Sequence, residues 1–207
     1  MRNIIVTEEQ LSHLVSLIKE STEGIDEVLH KIKESYKISE EFLDVIKKFI
    51  LDSNCRKISI EPIKMGDGLS LSDRVILHTN TLKNSLPKFL FILFHEIAHQ
   101  YQFKKYGGEK MFDCYTGEMN IQDACKLMKN IELVADEFAF RKMKELSRLG
   151  FINTNDSTYR GFYKNVHPDN FYMLISGIKD MLKKQNIKDP NKISEFFYNW
   201  VKLEINN

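Results

Sequence analysis

Directly after six consecutive apolar residues (89–94), this chain places His95-Glu96-Ile97-Ala98-His99. Pro87 lies just before that run and Gly107-Gly108 just after the motif. The pattern predicts a helix over about 87–105 that is apolar on nearly every face, and therefore central and buried. Ionisable groups in such a helix are costly unless they are paired or bind a metal. Residues four apart share one helical face, so the imidazoles of His95 and His99 converge on one point. That point suits a zinc ion, and Glu96 stands one position along, where it can act on a water at the metal.

A catalytic zinc takes three protein ligands and keeps one position open, so the third ligand must come from elsewhere in the chain. The pattern HExxHxxGxxH is excluded, because Gln102 and Lys105 stand where it needs glycine and histidine. A second long helix is expected over about 121–148, ended by Gly150. Within it, Glu132-Leu133-Val134-Ala135-Asp136 puts two carboxylates four apart on one face. One can coordinate the metal while the other accepts a hydrogen bond from the far nitrogen of a ligand imidazole and fixes its tautomer. Their apolar neighbours Ile131, Leu133, Val134, Ala135 and Phe138 give these acids a buried reason to exist, and Glu132 is the favoured ligand. Glu137 reads as a surface acid.

The rest of the chain supplies the frame. Residues 1 to about 55 read as helical. Thr7 and Gln10 form a capping-box pattern before Leu11, Leu14, Val15 and Ile18. After Gly24, Ile25, Val28, Leu29 and Ile32 make a second stripe. Ser39 caps a third, with Phe42, Val45, Ile46, Phe49 and Ile50 on its apolar face. The alternation in Lys57-Ile58-Ser59-Ile60-Glu61 and the run Arg74-Val75-Ile76-Leu77-His78 read as strands, with a turn at Gly66-Asp67-Gly68. They predict a short antiparallel sheet whose edge could take an extended peptide. Residues 107–119 read as a loop and 151–167 as irregular. Pro168 and Pro190 each open a C-terminal helix, over about 169–185 and 191–205. The expected class is α+β, mostly helical, with an N-terminal helical segment (1–56) packed on a core domain (57–207).

Composition narrows the function classes. Hydrophobic residues are 43% and charged residues 29% of the chain, an ordinary soluble balance. A net charge of +1 gives no overall electrostatic case for nucleic acid or an anionic membrane. The basic residues Arg141, Lys142, Lys144 and Arg148 read as cations complementing a helix C-terminus. No apolar stretch has the length of a membrane span, and acidic residues interrupt the N-terminus where a signal peptide would need its apolar core. Cys55, Cys114 and Cys125 are an odd set without paired spacing, as expected of reduced thiols in a cytoplasmic protein.

HExxH followed by ExxxD on a later helix resembles the gluzincin metallopeptidases. Glu132-x-x-Ala135-Asp136-x-Phe138-Ala139 is similar to the signature of the small intracellular ImmA/IrrE-like peptidases. The resemblance spans roughly residues 57–148 and implies a zincin-like core of sheet, active-site helix and glutamate helix. It implies one Zn²⁺ held by His95, His99 and Glu132, Glu96 as general base, Asp136 orienting a ligand imidazole, and a polypeptide substrate, with a specific regulatory protein as one candidate. It also implies a donor to the tetrahedral oxyanion. Candidates are His167, Tyr163 and Tyr159, with His167 foremost. His78 could line the cleft, while His13 and His30 carry no partner pattern. The alternative is a zincin-like module that binds or regulates without turnover.

Overall fold

The structure is a computed structural model, and it describes residues 24–201 apart from 54, 56, 65, 117–118 and 154–167. Helices α1 (Ile25–Tyr36) and α2 (Glu40–Asp52) come first. Strands β1 (Ile58–Glu61), β2 (Gly68–Ser70) and β3 (Val75–His78) follow, and then a 3-10 turn at Thr79–Lys83. Helices α3 (Leu86–Tyr106), α4 (Gly108–Thr116) and α5 (Ile121–Arg148) carry the middle of the chain. A 3-10 turn at Pro168–Phe171 leads into α6 (Tyr172–Lys184), and α7 (Pro190–Val201) closes the described chain. The class is α+β and mostly helical, as expected. The capping-box pattern at Thr7 lies outside the described residues.

The apolar stripes of α1 and α2 fold as their spacing predicts. Ile25, Val28, Leu29 and Ile32 are buried on α1, and Phe42, Ile46, Phe49 and Ile50 on α2. Ser39 caps α2 by accepting a hydrogen bond from the Phe42 N–H at 3.3 Å, satisfying one of the orphan donors of the first turn. Gly24 opens α1 at φ +93°, and any side chain there would strike the carbonyl oxygen of Ile58. That close approach seats the start of α1 on β1.

The sheet corrects an expectation. Its order is β1-β3-β2, with β3 antiparallel to β2 but parallel to β1. It is mixed, not antiparallel. The physical reason is burial. Val75, Ile76 and Leu77 are each 1% exposed or less, so β3 must be covered on both faces and takes the centre. The alternating strand β1 and the half-buried β2 take the edges. The connection after β1 carries the chain past β3, and the tight turn forms at residues 71–74, where the Leu71 N–H donates to the Arg74 carbonyl at 2.8 Å.

β3 also divides the interior. Val75 and Leu77 join a core built from α1, α2, the apolar half of α3 and the C-terminal half of α5. Ile76 faces the other way, into a cluster with Phe112, Ile178, Leu182, Ile193 and Phe197. α3 packs against both β3 and α5. Its six residues at 89–94 are all buried, which the sequence demands of a helix apolar all round.

Residues 108–116 form α4 where a loop was expected. The segment starts with glycine and has modest helix propensity, but packing overrides it. Met111, Phe112 and Cys114 are buried, and the Phe112 ring stacks on Phe197 at 6.1 Å. The C-terminal helices start as the prolines predict, except that Pro168 opens a 3-10 turn before α6. All three cysteines are free and buried, and burial pushes the thiols of Cys55 and Cys114 up to about 12. No helix among the described residues is long and apolar enough to cross a membrane.

Phe89 anchors the start of α3. It is fully buried, and its ring lies 5.4 Å from that of Tyr36. Phe89→Ala should lower stability by about 3–5 kcal/mol, read as a shifted urea midpoint with an unchanged slope.

Candidate metal centre

After residue 94 the surface of α3 changes from apolar to polar, and His95, His99, Gln100 and Gln102 each find a polar partner. His95 and His99 sit one turn apart and face Glu132 on α5. The ring Nε2 atoms of the two histidines are 3.2 Å apart. Glu132 reaches both: Oε2 is 3.1 Å from His95 Nε2, and Oε1 is 3.6 Å from His99 Nε2. These three residues form a group able to hold a metal ion. A four-coordinate ion with bonds of about 2.0–2.1 Å separates its donor atoms by about 3.3–3.4 Å. The two imidazole nitrogens, 3.2 Å apart, match that value, and an oxygen of Glu132 lies close to each, so the donor set fits such an ion in chemistry and lies within reach of it.

Both imidazoles have their other nitrogen occupied. His95 Nδ1 donates to Asp136 Oδ1 at 2.9 Å, as expected for an acid four residues beyond Glu132. His99 Nδ1 meets Gln102 Oε1 at 2.8 Å. The Nε2 atoms are thus the ones left to converge.

The electrostatics follow from burial and neighbours. Burial opposes charge on His95, but its hydrogen bonds to Asp136 and Glu132 outweigh that and hold its pKa well above the ordinary histidine range. Burial, with the charge of His95, pushes His99 down. Burial would raise Glu132, but the two imidazoles prevail and hold its carboxyl below the usual range. Glu96 is pushed up to about 7, first by burial and then by Glu132 and Asp67, against the pull of His95.

β2 fixes Glu96 from the other side. A Cβ on Gly68 would lie 2.6 Å from Glu96 Cγ and 2.8 Å from its Cδ. Only glycine leaves the side chain its place. Gln100, buried on α3, donates to Ser70 Oγ at 2.8 Å and to the carbonyls of Leu71 and Arg74, pinning the β2–β3 turn to the site helix. A cleft of about 290 Å³ opens on His95, Glu96, His99 and Glu132. β2 forms one rim, and Phe103, Phe112, Met128, Ile178, Phe197 and Trp200 supply an apolar wall.

The other residues singled out in the sequence fall elsewhere. His78 does not line the cleft; its Nδ1 accepts from the Asn80 N–H at 2.8 Å and caps the turn after β3. His30 is exposed and lies 3.2 Å from Glu34. His13, Tyr159, Tyr163 and His167 lie outside the described residues. Arg141 and Lys142 pair with Glu137 and Glu145 along α5. Sequence reasoning missed Gly68, Gln100 and Gln102. The two glutamines carried the same signal as the histidines, a polar group in a helix apolar on nearly every face. Tyr115 and Phe112, which also line the cleft, were hidden in the segment read as a loop.

Compared with known proteins, the chain matches no family model, no curated protein and no solved structure.

Asp136 orients His95 without reaching the metal position. Asp136→Ala should therefore weaken binding of a divalent transition-metal ion about 10–100-fold, and Glu132→Ala should weaken it further. Titration against a chelating dye reads both.

Proposed function

We propose that this chain is a small zinc-dependent peptidase of the gluzincin type. The observation that carries the reading is the meeting of His95, His99 and Glu132, with donor atoms within 4.8 Å of one another, beside Glu96 in an open cleft rimmed by an edge strand. Two imidazole nitrogens and one carboxylate are a donor set typical of catalytic zinc. The resemblance of residues 95–99 and 132–139 to the ImmA/IrrE-like peptidases supports the same assignment. It also supports a zincin-like core and an intracellular setting.

A zinc ion at this site supplies Lewis acidity, lowering the pKa of water and polarising a scissile carbonyl. The residues of the chain do the rest. Glu96, with its pKa near neutrality, accepts a proton from the attacking water and passes it to the leaving amine. The water oxygen bonds to the carbonyl carbon as the C–N bond breaks. Asp136 and Gln102 hold the two imidazoles in place. Gly68 keeps β2 against Glu96, so an extended peptide lying along that edge comes close to the base. The apolar wall favours a large apolar side chain next to the cleaved bond.

Glu96→Gln should retain zinc and lower turnover of a fluorogenic peptide library about 10²–10⁴-fold, and chelation should abolish cleavage until zinc is returned. Cleavage by the variant at the wild-type rate refutes the mechanism. Zinc binding without any cleavage, by either protein, leaves a non-catalytic binding module. Gly68→Ala pushes a methyl group into the Glu96 side chain, so it should reduce kcat while zinc stoichiometry stays at that of the wild type.

A further inference from the structure

Gln102 is 2% exposed, and both ends of its amide are used. Its Nε2 donates to the carbonyl oxygen of Ile131 on α5 at 2.9 Å. Its Oε1 lies 2.8 Å from His99 Nδ1. These two contacts have a direction. A backbone carbonyl can only accept, so the NH₂ end of the amide must face Ile131. The oxygen end must then face His99, and it too can only accept. His99 Nδ1 must therefore carry the hydrogen, and Nε2 must carry the lone pair. Nε2 is the atom that faces His95 and Glu132.

We infer that Gln102 is a positioning residue that selects the metal-ready tautomer of His99 and ties that ring to the α5 backbone next to Glu132. The residue that accepts its hydrogen bond immediately precedes the carboxylate ligand. One side chain thus sets the ring of one ligand and the distance to the helix that carries another. Asp136 acts on His95 by charge as well as by hydrogen bond. Gln102 does the matching task with a neutral amide, and it does so from the same helix as its histidine. A carboxylate at 102 would place an acceptor against the Ile131 carbonyl, which is a reason for an amide at this position.

The test has two readouts, and only the second rests on the zinc reading above. In ¹⁵N-histidine NMR of metal-free protein, His99 should show the Nδ1–H tautomer, and Gln102→Met, similar in volume, should lose that preference. In zinc titration, Gln102→Met should bind about 10–100-fold more weakly than wild type. Gln102→Glu, which keeps the acceptor for His99 but gives up the Ile131 bond, should retain the Nδ1–H tautomer in the NMR measurement. Lys104→Met, at an exposed position of the same helix, should leave zinc affinity unchanged. An Nε2–H tautomer in wild type overturns the inference. So does a Gln102→Met variant that binds zinc as tightly as wild type, or a Gln102→Glu variant that loses the Nδ1–H tautomer. A wild-type protein that binds no zinc refutes the peptidase reading and leaves the tautomer measurement to decide the role of Gln102.

Discussion

A helix that is apolar on every side in its first half and polar in its second can be satisfied in few ways, and α3 imposes that constraint on the whole molecule. Its first half, residues 89–94, must be wrapped, and α1, α2, β3 and α5 wrap it. Its second half cannot be left in the same apolar surroundings without partners. The fold answers by bringing up two polar surfaces, β2 with its turn on one side and the Glu132–Asp136 face of α5 on the other. Burial thus decides where polar groups can gather: the side chains able to hold a metal ion lie where α3 emerges from the main core.

Three polar side chains in this region are satisfied by named neighbours. His95 meets Asp136, His99 meets Gln102, and Gln100 meets the β2–β3 turn. Glu96 is the exception in kind. It is held by the shape of Gly68 rather than by a strong acceptor or donor, and burial keeps its pKa near neutrality. A carboxyl group in that condition can exchange a proton with little driving force in either direction, as a general base and acid requires.

Much of this was legible before any coordinates. The spacing of apolar residues placed α1, α2, α3 and α5 closely, and the i, i+4 pairs at 95/99 and 132/136 placed the donors on facing surfaces, because helical periodicity is a local property of the sequence. What escaped was non-local. The parallel pairing of β1 with β3 depends on which strand is buried on both sides, and no short motif encodes that. Helix α4 depends on Phe112 finding Phe197, about 85 residues away. In the sequence Gln102 only stands where another pattern has glycine. The direction of its amide depends on the Ile131 carbonyl of α5, a contact between distant segments.

The three buried thiols bear on how this protein handles soft metals. Burial pushes the thiols of Cys55 and Cys114 up to about 12, which favours the protonated, weakly nucleophilic form at neutral pH. Cys125 is shifted in the same direction by burial. Burial also keeps these sulfurs away from solvent, so among the described residues the group able to take up an ion from solution is built of nitrogen and oxygen. Air oxidation has little to act on while the protein stays folded.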